Sequence, residues 1–117
     1  MLKRRYRLKS PALFKRTLRA TRLCANSSFL AYGLLQESTE TRFGFIVSTK
    51  VHKRATRRNK IKRWFREIIR KDILSVTPKL SYRALVIIAR QGMLDAQYSD
   101  VRTRLIECLA GNKTGER

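Results

Sequence analysis

Residues 50–71, KVHKRATRRNKIKRWFREIIRK, carry eleven Lys or Arg and one acid, Glu67. Ile61, Trp64, Phe65, Ile68 and Ile69 are set among those charges at spacings of three and four. A run of like charge alone stays disordered. This one has an apolar helical face that has to be buried. The rest of the chain must therefore supply a surface for that face, and the cations are then held rigidly on the other side. A rigid cation array suits a polyanion, with RNA as the leading candidate.

An ideal helix turns about 100° per residue. With Arg58 at zero, the five apolar residues span an arc of about 140°, and Lys62, Arg66, Asn59, Arg70 and Arg63 fall between about 40° and 140°. Lys60, Glu67 and Lys71 sit further round. Solvated helix faces usually mix signs, because Glu–Lys pairs one turn apart stabilise helices. Here like charges follow one another about 5–6 Å apart, a spacing on which phosphates also repeat. Arg can fork onto phosphate or stack on a base, and Asn59 adds a donor and an acceptor. A merely solvated face is the alternative. Trp64 lies within the apolar arc, which assigns it to core packing ahead of base stacking.

The remaining composition agrees. The 117 residues hold 28 Lys or Arg against 8 acids, a net charge of +20. Such an excess repels itself in a folded chain and calls for an anionic partner; an anionic membrane surface is the lesser possibility. Apolar residues make up 43% of the chain, enough for one globular domain with a modest core. No apolar run approaches the ~18 residues of a membrane span, and no signal-peptide pattern follows the basic start MLKRRYRLKSP. Cys24 and Cys108 have no metal-ligand spacing and form no disulfide framework. Cys108 reads as a core residue, while Cys24 could be buried or exposed. These features fit a reducing compartment, the cytoplasm.

With no repeat or composition break, residues 1–117 read as a single domain with a basic arm at 1–9 and a frayed tail at 111–117. Ser10-Pro11 reads as an N-cap followed by Pro at the first helical position, opening a helix over about 11–20. Residues 29–36 read as a strand, 37–41 as a polar hairpin connection, and 42–49 as a second strand. In that second strand Phe43, Phe45 and Val47 alternate with Gly44, Ile46 and Ser48. The basic helix follows over about 55–74, ended by Thr77-Pro78. Residues 83–90 form a third strand, apolar on both faces and therefore central. Asp95 is expected to cap a last helix over about 96–110, with Val101, Leu105, Cys108 and Leu109 as its buried stripe and Gly111 as its stop. The expected fold is α/β, an α+β two-layer sandwich of αββαβα-like order, with helices packed on a mixed sheet and a crossover around the basic helix.

Catalytic signatures are missing. There is one histidine, His52, and no recognisable nucleophile pair. The eight acids are scattered, which offers no two-metal site, and no Gly-rich phosphate loop occurs. The chain reads as a binder with no catalytic residue, no metal ligand set and no cofactor bound by the protein alone.

Arg58-Asn59-Lys60-Ile61-Lys62-Arg63-Trp64-Phe65-Arg66-Glu67 resembles the arginine-rich signature of the bacterial ribonuclease P protein subunit family. Val51-His52-Lys53-Arg54-Ala55 resembles the lead-in to that helix, and Arg7-Leu8 with Phe14 resembles the family's opening. Tyr32 and Ile87-Ile88-Ala89-Arg90 resemble its first and last strands. The likeness runs from about residue 5 to 109. It implies an α/β sandwich whose crossover is left-handed, against the usual hand. It implies a partnership with a large catalytic RNA, one protein per RNA, and removal of the 5′ leader of precursor tRNA by endonucleolytic cleavage. The magnesium this requires belongs to the holoenzyme and is held mainly by the RNA. The resemblance assigns Lys53, Arg54, Arg58, Asn59, Lys60, Lys62, Arg63 and Arg66 to the catalytic RNA. It assigns Phe14, Leu18, Tyr32, Phe45, Ser48 and Lys50 to a leader cleft between the first helix and the sheet, where aromatic faces suit unpaired bases. Ordinary helix–sheet packing accounts equally well for Phe14 and Leu18. Lys60 stands where the family has Arg, and Leu18 where an aromatic is common. A basic ribosomal or RNA-chaperone protein is the competing reading; a DNA-binding module lacks a helix-turn-helix pair.

Overall fold

The computed structural model describes residues 4–35, 41–74 and 82–111. Helix α1 (Pro11–Leu18) starts as its sequence dictates: the Leu13 N–H donates to the Ser10 hydroxyl at 3.2 Å, and Pro11 occupies the first turn. Strands β1 (Thr21–Ala25), β2 (Phe29–Leu35) and β3 (Arg42–Ile46) follow, then helix α2 (Ala55–Ile68), whose last turns widen into a π-helical segment, Ile69–Leu74. Strand β4 (Tyr82–Ala89), a short 3-10 turn (Gln91–Leu94) and helix α3 (Tyr98–Gly111) complete the order.

The four strands form one mixed sheet in the order β1-β2-β4-β3. β4 is central, as its doubly apolar sequence requires. It pairs antiparallel with β2 and parallel with β3, so β3–α2–β4 is a crossover unit. Two expectations change here. The strands flanking 37–41 are not hairpin partners, because β4 is inserted between them; residues 36–40 of that connection lie outside the described residues. The sheet also gains β1, a short edge strand paired with β2. In the turn joining β1 to β2 the Asn26 side-chain oxygen accepts from the N–H groups of Ser28 (2.8 Å) and Phe29 (3.0 Å), a turn chemistry typical of Asn.

Successive residues of β4 face opposite sides. Leu85 and Ile87 join the main core with Phe29, Phe43, Phe65, Ile68, Val101 and Leu105, beneath α2 and α3. Ala84 and Val86 join a smaller cluster with Leu8 beneath α1. The expected stripe of α3 is buried throughout, but Asp95 ends the 3-10 turn, and Gln97 occupies the position before α3, where its carbonyl accepts the N–H groups of Asp100 and Val101. The expected stop at Thr77-Pro78 lies outside the described residues, and Gly111, expected to end α3, is its last helical residue.

Cys24 and Cys108 are joined in a disulfide, with Cα atoms 6.0 Å apart. The sequence reading had left them unpaired. Their separation of 84 residues is closed only because β1, the unforeseen strand, lies beside α3. The basic arm is also more structured than expected. Arg7 forms a parallel bridge to Phe43, and the Leu8 N–H donates to the Phe43 carbonyl at 2.8 Å, so the arm runs along the outer edge of β3.

Candidate nucleic-acid interface

Helix α2 is held by its apolar arc. Phe65 is fully buried, edge-on to Phe29 and stacked on Phe45, each at 5.9 Å between ring centroids. Ile61, Ile68 and Ile69 are buried beside it. Trp64, at the margin of the arc, is half-buried and meets Tyr98 edge-to-face at 5.3 Å. This anchoring fixes where the cations point.

The eight residues assigned to catalytic RNA fall into three groups. Lys53, Arg54, Asn59, Lys60 and Arg63 are exposed. Arg58 is partly committed within the chain, since one of its nitrogens donates to the carbonyls of His52 (3.0 Å) and Lys53 (2.7 Å). That fastens the turn leading into α2. Lys62 and Arg66 are half-buried. The Arg66 guanidinium lies 6.0 Å from the Phe45 ring centroid, and its Nε is buried without a hydrogen-bond partner. Burial, together with the positive charge of Arg7, lowers its pKa below the ordinary guanidinium value. A buried donor without an acceptor costs free energy that an anion would recover.

The N-terminal end of α2 concentrates the charge. Arg54 is the N-cap residue and makes no side-chain capping bond, and the first turn holds no acid. Lys53, Arg54, Arg57 and Arg58 thus gather where the helix dipole is already positive. His52 uses Nδ1 to accept the Arg54 N–H at 3.1 Å. The one acid of the 50–71 run, Glu67, pairs with Arg70 at 3.1 Å and Lys71 at 3.6 Å. The Arg70 hydrogen bond is the main reason its carboxyl pKa is lowered.

The second group of assigned residues does not form one surface. Phe14 and Leu18 are half-buried over the smaller cluster. Tyr32 is paired with Val86 of that cluster and therefore faces the same side of the sheet. An eight-residue helix cannot cover four strands, so Tyr32, Ile46 and Ile88 remain only half-buried beside it. Phe14 comes close because Gly44 has no side chain: a Cβ there would lie 2.5 Å from the Phe14 ring. Phe45 departs from the expected cleft. It is opposite Ile87 of the main core and stacks on Phe65, which puts it on the α2 side. Ser48 and Lys50 are exposed in the turn beyond β3, where the Ser48 hydroxyl oxygen accepts the Lys50 N–H at 3.3 Å.

Sequence reasoning missed Arg22, which pairs with Tyr32 across β1 and β2 and carries a cation to the α1 face. It was missed because β1 was. Ile46 and Ile88 were also missed, although the alternation of β3 placed Ile46 with Gly44.

Comparison with known proteins gives this geometry a family. The family model "Ribonuclease P" matches residues 2–112. The ribonuclease P protein component of Listeria monocytogenes serotype 4a (strain HCC23) is 34% identical over 109 residues, 92% of this chain and 88% of that protein. That of Streptococcus thermophilus (strain CNRZ 1066) is 31% identical over 108 residues, 92% and 93% of the two chains. The RNase P protein structure from Staphylococcus aureus superposes with a TM-score of 0.76 at 31% identity, covering 92% of this chain and 95% of that one. The Thermotoga maritima RNase P protein gives 0.74 at 30%, covering 88% and 94%. Sequence, sheet order and basic crossover helix therefore converge, and the chain belongs to the ribonuclease P protein component family.

Proposed function

We propose that this chain acts as the protein subunit of a ribonuclease P ribonucleoprotein, binding the catalytic RNA and the 5′ leader of precursor tRNA while the RNA performs the endonucleolytic cut. The observation that carries this reading is the uncapped, acid-free start of α2 with its four clustered cations. Such an end is unfavourable in isolation and favourable against phosphate, which accepts from the terminal N–H groups and offsets the positive charge. Lys53, Arg54, Asn59, Lys60 and Arg63 face outward for this contact, with Lys62 and Arg66 at its margin. Arg58 contributes twice, by fastening the turn and by its remaining donors.

The leader is assigned to the α1 side of the sheet. Phe14, Leu18 and Tyr32 provide apolar and aromatic surface there, Arg22 a nearby cation, and Ser48 and Lys50 polar groups beyond β3. Phe45 acts on the other side, under Arg66. Magnesium belongs to the holoenzyme, held mainly by RNA, and one protein serves one RNA. The location is the cytoplasm on family grounds; the Cys24–Cys108 bridge removes the cysteine argument for it. Among the described residues no helix is long and apolar enough to cross a membrane. A ribosomal or chaperone role is not favoured by the family match.

Reconstitution with a bacterial ribonuclease P RNA at low magnesium tests the reading. Adding the protein should raise cleavage of precursor tRNA and favour precursor over mature tRNA in binding. No gain in cleavage contradicts the subunit role; equal affinities for the two tRNAs contradict the leader contact.

A further inference from the structure

A hollow of about 80 Å³ opens on the flank of α2 away from the Lys62–Arg66 stripe. Ile61 and Met93, both buried, lie at its base; Trp64, Leu94 and Ala96 form its sides. Arg57 and Lys60, both exposed, border it. On the helical wheel Arg57, Lys60 and Trp64 fall between about 200° and 260°, well separated from Lys62 and Arg66 at about 40° to 80°. The hollow therefore lies off the Lys62–Arg66 stripe, and its bordering Arg57 and Lys60 belong to the cations already assigned to RNA.

Three features define what it would take. Its space corresponds to roughly five to eight waters on the measure by which one water needs 10–15 Å³, room for one flat heteroaromatic ring. Trp64 is already oriented by Tyr98, and the Lys60 ammonium lies 6.0 Å from the indole centroid. Leu94 remains 48% exposed, an apolar side chain with no described cover. The lining holds two cations and no acid; Asp95 lines a separate hollow with Ser28 and Arg104. An apolar ring bordered by phosphates matches this combination. A second copy of this chain does not, because each carries a net +20.

We propose that this hollow binds one unpaired nucleotide of the catalytic RNA, its base against Trp64 and Leu94 and its flanking phosphates on Arg57 and Lys60. A paired base cannot enter, so the site selects a bulged or single-stranded position. RNA would then hold α2 from both flanks. The inference rests on the RNA-binding reading above and adds a base contact to it.

Trp64 is the only tryptophan, so its fluorescence reports the site directly. The full chain is titrated with a bacterial ribonuclease P RNA at several salt concentrations. The expected result is quenching of Trp64 on binding. Trp64→Leu should weaken affinity by roughly 5- to 150-fold, the range one base–aromatic stack spans, with the salt slope unchanged, while Trp64→Phe retains most of it. Leu94, 48% exposed, replaced by the photoreactive benzoylphenylalanine should crosslink to one unpaired nucleotide, with circular dichroism confirming that the variant is folded. Undiminished RNA affinity with no quenching, or crosslinks spread over paired stems, overturns the pocket and leaves the RNA-binding reading intact. Absence of RNA binding by the unmodified chain overturns both.

Discussion

Replacing Phe65 with Ala tests whether the cation face depends on its buried arc. Phe65 is fully buried, stacked on Phe45 at 3° and perpendicular to Phe29 at 84°. Removing a buried Phe side chain costs about 3–5 kcal/mol. Two aromatic neighbours put this site in the upper part of that range, since such pairs add about 0.5–1.5 kcal/mol beyond area. The expected loss is about 4 kcal/mol, a large share of the stability of a small domain whose total lies at about 5–15 kcal/mol. At an m-value of about 2 kcal/mol/M in urea, the unfolding midpoint falls by roughly 2 M. Urea titrations by far-ultraviolet circular dichroism, run in moderate salt to screen self-repulsion, measure it. RNA at about a hundred times its Kd should restore about 2.7 kcal/mol if it binds only the folded chain. A loss below about 1 kcal/mol, well under the buried-Phe range, would refute the claim that this arc holds α2.

Other perturbations separate the two faces of the sheet. Tyr32→Ala should weaken precursor tRNA binding by the holoenzyme while leaving protein–RNA assembly intact; equal losses in the two assays contradict the cleft. Gly44→Ala forces the Phe14 ring to move, so precursor affinity should fall as for Tyr32→Ala, and unchanged affinity would exclude Phe14 from the contact. Reducing the Cys24–Cys108 bridge opens a link across 84 residues, which the chain-entropy description values at about 4–5 kcal/mol. Urea midpoints with and without reductant measure this, and identical midpoints would mean the pair is not bridged in solution.

Much of this was legible where local signals were dense. The charges and apolar positions from 55 onward repeat at a helical period, so the start and course of α2 were readable directly, whereas the π-helical widening at Ile69–Leu74 was not. Ser10-Pro11 marked the start of α1 by simple capping chemistry. β4 could be placed at the centre because Leu85-Val86-Ile87-Ile88 has no polar face. What failed was non-local. β1 is short, carries Arg22 and lies at an edge, where one side needs no apolar cover. Neighbours along the chain were taken for neighbours in the sheet, which β4 disproves by separating β2 from β3. The cysteine pair depended on β1 and was lost with it. Phe45 was grouped with the α1 cleft by resemblance, although its own alternation with Gly44 and Ile46 placed it on the opposite face.

The central claim is that the exposed cations of α2 dock RNA phosphates. Salt dependence of affinity for the catalytic RNA tests it most directly, comparing the unmodified chain with the Arg54→Ala, Arg63→Ala double variant. Both residues are exposed, so the fold should survive, which an unchanged urea midpoint verifies. If each neutralises one phosphate, the slope of log affinity against log salt should flatten by about 1.4 to 1.8. An unchanged slope in the folded variant would place the RNA elsewhere and contradict the account.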